Sequence, residues 1–413
     1  MTNAQGSTLL ETLDNLRDLS RNKPWELFLQ KGLPTKDQEA FAYVQLDKLH
    51  HFSVATAELR SYSKQELPKA RSPWRFVFVD GVFSQELSSL DQLPEEVIFC
   101  SIEDAKKDFS SLLQAQQMRF YQQEDTTGLD YLNEACYKEG FFLYIPPKCR
   151  LQHPIECLEL TASMFYAGKM MIFVGKHAEV EFYHHRLNQG LTLCVSRHEY
   201  HLEAGSFCKV IADDLTKKQG ISLHKCVARL KKQAHLSLYQ LSQGGACNRT
   251  EYSVDLLEEN SEALLHGFSA VKGSDQQHYF VTICHQAPHC RSHQHFKTLL
   301  KESARSSFEG KIWVDSQADK TQAYQLCNYL LLSPKTHAFA KPNLEIFADD
   351  VKASHGATIA QLCEEDLFYL KARGLQDSQA KDLLIQGFSR EITQHLDEDL
   401  QKKLEDVSNQ ELS

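Results

Sequence analysis

The pattern of apolar and polar positions divides the chain into three parts, and the first is predicted to be helical or mixed. Leucines recur at helical spacing over residues 8–19, which predicts an amphipathic helix. Its apolar stripe consists of Leu9, Leu10, Leu13, Leu16 and Leu19. A second helix is predicted after Pro34, with Thr35 as its N-cap. Its expected buried positions are Phe41, Val44, Leu46 and Leu49.

The run FVFVDGVF over residues 76–83 predicts a β-hairpin that turns at Asp80 and Gly81. From about residue 140 short β-rich runs replace the helical stripes, among them MMIFVG, AEVEFYHH and AHLSLYQL. These runs continue for some two hundred residues with few helix signals. The middle of the chain is therefore predicted to be a large β structure.

The spacing of the β-rich runs favours a solenoid. Small residues introduce comparable runs at Ala178, Ala204, Ala234 and Ala263, at intervals of 26, 30 and 29 residues. Intervals of that size, with polar turns between them, fit a coil in which each turn stacks on the last. A β-sandwich has a similar density of strands and stays open as an alternative. Because a solenoid has open ends, the flanking helical segments are expected to cap them.

The last part of the chain is predicted to be helical again. Residues 365–373 form one helix that ends at Gly374, and Asp377 or Ser378 caps the next. The stripe of that next helix consists of Leu383, Leu384, Phe388, Ile392 and Leu396. The expected organisation is an N-terminal helical or mixed region (1–139), a mainly β core (140–345) and a C-terminal helical region (346–413).

Charge and composition exclude several classes of function. The net charge of −10 argues against a surface that tracks nucleic-acid phosphates. Residues 361–413 hold six Lys or Arg against twelve Asp or Glu, so this tail is either a solvated face or a docking surface for a basic partner. We expect no membrane span and no secretory signal, and hence a cytoplasmic protein.

The cysteines and the motifs narrow the chemistry further. The twelve cysteines are expected to be thiols in a reducing compartment, since no export signal accompanies them. None of them has the spacing of a zinc knuckle or a ferredoxin loop. The chain also lacks the P-loop, the dinucleotide fingerprint, the nucleophile elbow and the HExxH motif, so no nucleotide site is expected in it.

Three histidine-rich places remain as candidates for metal chemistry. His184 and His185 are neighbours on a strand and face opposite ways, so one is expected in the core and the other exposed. The run CHQAPHCRSHQH has the best ligand composition, with Cys284, His289, Cys290 and His293 as metal candidates beside His285 and His295, or else it is a polar bend between turns. The third is His355, in a predicted turn over residues 354–356.

The segment around His355 carries a family resemblance. Residues 341–375, KPNLEIFADDVKASHGATIAQLCEEDLFYLKARGL, resemble the SufB/SufD family of iron–sulfur assembly scaffolds. The likeness extends to residues 308–333 and, at the front, to GLPTKDQEAFAYVQLDKL over residues 32–49, where Phe41 stands at a usual tryptophan. D-type members have SHGAT where B-type members have EHEAT. This sequence has SHGAT at residues 354–358 and so resembles the D type.

The resemblance implies a right-handed parallel β-helix (β-solenoid) between helical ends. It implies a non-catalytic scaffold that pairs with a B-type subunit through the β-helices and docks an ABC-type ATPase through its C-terminal helices. It also implies that His355 is a ligand of a transient iron–sulfur cluster at the interface with the B-type subunit. A reduced flavin is associated with such complexes, but it maps to no residue here. The ATPase-docking residues it implies are Leu367, Phe368, Tyr369, Leu370 and Arg373.

One position departs from the family pattern. The cysteine that precedes SHGAT in the family is Ala353 here, so ligation falls on His355 and the partner. Two other functions stay open: a homodimeric scaffold, and a β-helix enzyme acting on polysaccharides. The enzyme would need paired carboxylates, and the adjacent acid pairs in or beside the core are Asp213–Asp214 and Asp349–Asp350, whose members are expected to face opposite ways.

Overall fold

The N-terminal part of the computed structural model is a helical layer with three short strands. The structure describes residues 9–52, 61–123, 126–188, 190–216, 220–402 and 404. The helices are α1 (Leu9–Leu16), α2 (Asn22–Lys31), α3 (Asp47–His50), α4 (Ile102–Asp108), α5 (Ser110–Gln122) and α6 (Gly128–Cys136), with 3-10 turns at Glu39–Phe41 and Lys64–Glu66. The strands are β1 (Arg75–Val79), β2 (Val82–Phe83) and β3 (Ile98–Ser101).

The predicted helices of this part are only partly confirmed. The first exists as α1, but it buries only Leu9 and Leu13, and Leu19 lies beyond its end and is 70% exposed. Phe41 and Leu49 are buried as expected, yet a 3-10 turn and the short α3 carry them, and Thr35 caps neither. The continuous helix here is α2, which precedes Pro34 and was not predicted.

The predicted hairpin is confirmed. Strands β1 and β2 pair antiparallel, with Phe78 opposite Phe83. The turn places Asp80 at φ 49° and Gly81 at φ 76°. Two consecutive residues in the left-handed region fit a two-residue hairpin turn, and aspartate followed by glycine is the pair that tolerates them best.

The middle of the chain is a parallel β-solenoid of about seven turns, as predicted. One sheet, here called sheet A, has the order β19-β17-β15-β13-β11-β9-β7-β5-β1-β2. The other, sheet B, has the order β18-β16-β14-β12-β10-β8-β6-β4-β3. From β4 onward the even-numbered strands lie in sheet B and the odd-numbered strands in sheet A. Neighbouring coils pair in register, as where β10 aligns Ile221 with Cys247 of β12. The sandwich alternative is wrong, because a sandwich of this size is built from antiparallel strands.

The strands of the solenoid are mostly ten residues long. In sheet A they are β5 (Ile155–Leu160), β7 (Glu179–Asn188), β9 (Phe207–Thr216), β11 (His235–Ser242), β13 (Glu262–Val271), β15 (Arg291–Leu300), β17 (Gln322–Leu331) and β19 (Lys352–Gln361). In sheet B they are β4 (Phe141–Ile145), β6 (Phe165–Val174), β8 (Leu193–Leu202), β10 (Ile221–Leu230), β12 (Cys247–Leu256), β14 (Gln276–His285), β16 (Arg305–Val314) and β18 (His337–Ile346).

One corner of the solenoid is a stack of small buried residues. At this corner the backbone N–H that opens each sheet A strand donates to a carbonyl one coil earlier, as from Phe207 to Ala178 and from His235 to Ser206. The stacked residues are Ala178, Ser206, Ala234, Ser261, Cys290 and Thr321, each almost fully buried. A large side chain does not fit where the backbone bends sharply inside a packed core, so the corner selects small ones.

The outer faces of both sheets are covered over part of their length. Helix α6 packs on sheet B, where Asn133 donates from Nδ2 to the carbonyl oxygens of Gly168 and Val195. The C-terminal helices are α7 (Glu364–Ala372) and α8 (Asp377–Thr393), and α8 lies on sheet A with Ile385 and Ile392 buried. No helix in the described part of the chain is long and apolar enough to cross a membrane.

The C-terminal predictions need two corrections. The helical region does not begin at 346, because β19 continues the solenoid to Gln361 and the first helix starts at Glu364. The N-cap of α8 is Gln376, in a capping box with Gln379, rather than Asp377 or Ser378. Gly374 follows the first helix at φ 93°, as its predicted place at a helix end requires.

Candidate functional site at the open end of the solenoid

The last coil of the solenoid, formed by β18 and β19, is an open end. Each of these strands stands at the edge of its sheet, with a single neighbouring strand. No residue of either strand is buried, whereas every residue of β8 in the interior is. Ten-residue edge strands offer unpaired N–H and C=O groups to another chain, so this end is built to receive a partner or must be protected from one.

His355 lies in this open end, but in a strand rather than in the predicted turn. It is the fourth residue of β19 and pairs in register with Gln325 of β17. Gln325 is buried on the interior row of sheet A, so His355 continues that row into the last coil. Its side chain is exposed because no further coil covers it. The glycine in SHGAT suggested a turn, and pairing with β17 overrides that local preference.

A short amide ladder lies directly beneath His355. Gln325 Nε2 donates to Gln294 Oε1 over 2.9 Å, one coil further in. Gln325 Oε1 is buried and has no hydrogen-bond partner among the described residues. The buried part of this row therefore ends, one coil below His355, on the Gln325 amide oxygen.

The thiol that the family pattern places beside His355 is absent, and no other cysteine of this chain replaces it. Ala353 occupies that position, on the interior row and in register with Ala323. The single exposed cysteine, Cys363, lies after β19 at the N-cap of α7. Since a strand rises about 3.3 Å per residue, Cys363 is more than about 20 Å along the chain from His355. At the position of the family motif the chain therefore presents the imidazole of His355 and no thiol.

The structure does not bring together the metal candidates of the CHQAPHCRSHQH run. Cys284 is on the outer face of sheet B, and His289 is exposed in the turn at φ 61°. Cys290 is buried in the corner stack, where its sulfur contacts Ser261 Oγ at 3.2 Å. His293 is on the outer face of sheet A, next to His266. Strand alternation and the corner separate the four side chains.

The expectation for His184 and His185 is half right. They face opposite sides of β7 as predicted, but both are buried. His184 points into the solenoid, and His185 lies on the outer face with Nδ1 3.2 Å from Asp213 Oδ2. The outer side is buried because the chain around residues 385–404 covers this part of sheet A, beside Tyr183. Asp213 and Asp214 likewise face opposite ways, so they form no carboxylate dyad.

A second exposed surface lies on α7, next to the open end. The helix buries none of its residues, although it carries four large apolar or aromatic side chains. Phe368 is 73% exposed, and the Arg373 guanidinium lies 3.5 Å from the ring centroid of Tyr369. Leu367 and Leu370 are half-buried. Exposed apolar and aromatic side chains grouped on one helix are typical of a docking element.

A parallel β-solenoid that ends in two exposed ten-residue edge strands defines the class of protein: a β-helix with one open end that another chain can extend. The comparisons then give the family. The model described as "SUF system FeS cluster assembly, SufBD core domain" matches residues 159–388, and the "SufBD protein N-terminal region" matches residues 5–157. Together they span most of the chain, so it belongs to the SufBD family.

Curated relatives of similar length support the same assignment. The chain is 28% identical over 404 residues to an iron–sulfur cluster assembly SufBD family protein of Synechocystis, covering 92% of this chain and 88% of the relative. It is 25% identical over 409 residues to the iron–sulfur cluster assembly protein SufD of Escherichia coli, covering 96% and 93%. For SufD of Bacillus subtilis the identity is 24% over 332 residues, covering 76% and 72%.

Proposed function

We propose that this chain is the D-type scaffold subunit of an iron–sulfur cluster assembly complex, and that it works by presenting its open coil to a B-type subunit. The observation that carries the proposal is the position of His355. It lies on the interior row of the last coil, directly after the coil in which Gln325 of the same row is buried. The chain itself is non-catalytic in this proposal, and the nascent cluster is its cargo.

The B-type subunit would stack its own last coil on β18 and β19. Both strands offer backbone groups, and the rim adds exposed apolar side chains at Ile346, Phe347 and Ile359. Pro342 in β18 lacks an N–H, as is typical of a proline in an edge strand. A second copy of this chain presents the same edges, which makes a homodimer the competing arrangement in isolation.

The cluster ligands in this proposal are His355 and side chains of the partner. With Ala353 in place of the family cysteine, this chain contributes one nitrogen and no thiolate. A site that is sparsely ligated and shared between subunits holds a cluster less tightly than four thiolates on one chain. Weak holding suits a scaffold that must transfer its cargo. A reduced flavin bound to the complex would supply electrons, and we assign no residue to it.

The ABC-type ATPase would dock on α7. Its exposed residues Phe368, Tyr369 and Arg373 form one face, with Leu367 and Leu370 beneath. Aromatic and arginine side chains are the residues that most often dominate binding energy at interfaces. Helix α8 fixes this face relative to the solenoid, because its own apolar side is packed on sheet A.

The test compares two exposed histidines on the edge strands. The tagged full chain is co-expressed with the B-type subunit and the ATPase of its own genome, and the complex is reconstituted anaerobically with iron and sulfide. His355→Ala is expected to assemble normally but to lose the visible absorption of the cluster. His337→Ala, at the exposed start of β18, is the matched control and should retain it.

Two outcomes would overturn this function. One is a chain that co-purifies with neither partner, since a scaffold without partners cannot receive or pass on a cluster. The other is a His355→Ala complex that forms clusters at the wild-type yield, which would remove the assigned ligand. A homodimer measured by light scattering that persists unchanged when the B-type subunit is added would favour the homodimeric scaffold instead.

A further inference from the structure

A second group of metal-ligating side chains lies inside the solenoid, away from the open end. Glu159 of β5 and His184 of β7 point inward from sheet A, and His198 of β8 points inward from sheet B. Each is at most 3% exposed. One ligand atom from each residue lies within 4.8 Å of the other two, and among the described residues no other His, Cys, Asp and Glu side chains form such a group.

The atoms that face the centre of this group lack hydrogen bonds. Glu159 Oε1, His184 Nδ1 and His198 Nε2 are all buried without a hydrogen bond among the described residues. A buried polar atom without a hydrogen bond destabilises a core, so three in one place need an explanation. Glu159 Oε1 and His198 Nε2 lie 3.2 Å apart without hydrogen-bond geometry. Two ligands of one tetrahedral ion stand at about this distance.

The remaining polar atoms of two of the three residues are held in place. His184 Nε2 contacts Tyr200 Oη over 2.7 Å, which leaves Nδ1 as the nitrogen turned inward. Glu159 Oε2 accepts from Tyr166 Oη over 3.2 Å, which leaves Oε1. Metal-binding imidazoles and carboxylates nearly always have their second atom fixed in this way, because it sets tautomer and orientation.

The surrounding charges leave room for a cation. The interior carboxylates near this group are Glu159 and Asp214, and the interior guanidinium is that of Arg186, whose Nη2 lies 3.8 Å from Asp214 Oδ2. Two carboxylates and one guanidinium leave one negative charge in the core.

We propose that Glu159, His184 and His198 bind one divalent first-row transition-metal ion, of the zinc or ferrous class, inside the solenoid. Two imidazoles and one carboxylate are a ligand set suited to either ion. Because the group is sealed from solvent, the ion enters as the chain folds and then ties together strands from both sheets. This site shares no residue with the open end, and it stands whether or not the chain acts in cluster assembly.

The competing explanation is that a proton on His198, rather than a metal ion, balances the negative charge of the core. If His198 is protonated, it forms an ion pair with Glu159, and the core is neutral without a metal. The two explanations differ in what the purified protein contains and in what Co²⁺ does. Only a metal site shows the visible d–d absorption of bound Co²⁺.

The experiment uses the full chain, expressed in media supplemented with Zn²⁺, with Fe²⁺ under anaerobic handling, or with Co²⁺, and dialysed against a chelator. We expect about one equivalent of metal per chain by mass spectrometry and a d–d spectrum for the Co²⁺ protein. Glu159→Gln and His198→Gln should each lose both signals. His285→Gln is the matched control, because His285 is also buried in the solenoid but bonds Ser292 instead, and it should keep them.

A milder variant keeps the test informative if the ligand substitutions fail to fold. Tyr200→Phe removes only the hydrogen bond to His184 Nε2, and losing such a contact typically weakens metal affinity about 10–100-fold. Metal should then leave this variant for a competing chelator faster than it leaves the wild type. A folded wild-type chain without metal from any of the three media would overturn the proposal, as would Tyr200→Phe holding metal as tightly as the wild type.

Discussion

The two ends of the solenoid are built in opposite ways. At the front, the sheets end in short antiparallel strands, with β2 pairing on β1 and β3 on β4. The aromatic rings of Phe76, Phe78, Phe83, Phe99 and Phe141 pack against one another over this end. At the other end, β18 and β19 keep their full ten residues, and no part of the described chain adds a strand to them.

This difference indicates that the front end serves stability and the open end serves assembly. A solenoid needs caps because its coils are only as stable as their neighbours allow. The front end meets this need with packed aromatic rings, and the edge strands it leaves, β2 and β3, are only 2 and 4 residues long. At the open end no described part of the chain meets it, and His355 lies there. We therefore expect substitutions at the front to affect folding and substitutions at the open end to affect partners.

The largest expected contrast concerns two ion pairs between neighbouring coils. Arg75 Nη2 and Glu156 Oε1 lie 2.7 Å apart, both buried, at the capped end. Glu156→Ala leaves a buried guanidinium without its partner and should lower the free energy of unfolding by about 3–5 kcal/mol. Chemical denaturation of the purified chain measures this loss.

The matched control is an ion pair of similar geometry at the open end. Lys311 Nζ and Glu345 Oε2 lie 2.8 Å apart, with both side chains about two-fifths exposed. Glu345→Ala should cost only about 0.2–1 kcal/mol, because water already solvates the charges. Equal losses for the two variants would mean that the open end is as buried as the capped one, against the comparison.

The two C-terminal helices differ in the same way, since α7 is exposed and α8 is packed on sheet A. Phe368→Ala on α7 should change the free energy of unfolding by less than about 0.5 kcal/mol, because the ring has no core partner. It should weaken ATPase binding by about 2 kcal/mol, close to 30-fold in the dissociation constant. Calorimetry with the purified ATPase measures the second effect.

Helix α8 provides the opposite expectation. Ile392 is fully buried against sheet A, so Ile392→Ala should destabilise the chain by about 2–5 kcal/mol. If Phe368→Ala bound the ATPase with wild-type affinity, α7 would not be the docking helix, whatever its exposure.

The last prediction concerns the pH dependence of stability. Burial lowers the pKa of His285, in the closed part of the solenoid, to about 4. An unfolded histidine titrates near about 6.5, so the unfolded chain binds more protons at mildly acid pH. The stability from the neutral ring is therefore present above about pH 6.5 and is lost as the pH falls toward 4. Between pH 7 and pH 5 this single group should cost roughly 2 kcal/mol.

The check is a pair of stability–pH curves. His285→Asn removes the titrating ring, so its curve should be flatter than that of the wild type over the same pH range, even if the variant is less stable throughout. Parallel curves would show that the imidazole of His285 is open to solvent or titrates normally in the folded chain.

The solenoid is predictable from the sequence because β-rich runs recur at similar intervals, but the sequence does not show where each coil begins. Alanine spacing places the coil starts at Ala178, Ala204, Ala234 and Ala263, whereas the structure stacks Ser206 and Ser261 with Ala178 and Ala234. Small residues substitute for one another at a tight corner, so alanine alone does not mark it. Cys290 is likewise one of the small residues of this stack, although the histidines around it in the sequence suggested a metal ligand.

The part of the candidate sites that could be predicted is the part that depends on side-chain alternation within one strand. Alternation along β7 correctly separated His184 from His185, but it could not show that a helix covers the outer face. The group of Glu159, His184 and His198 was missed because three strands from two sheets form it, and only the register of the coils brings them together. A period measured from the corner residues would have placed them in neighbouring coils.

Hydrogen exchange of the full chain, alone and with the B-type subunit, tests the central claim most directly. The account predicts that backbone amides of β18 and β19 exchange fast in the isolated chain and become protected in the complex, while those of β1, β2 and β3 do not change. Protection confined to the capped end, or a complex that leaves the amides of β18 and β19 unprotected, would contradict it.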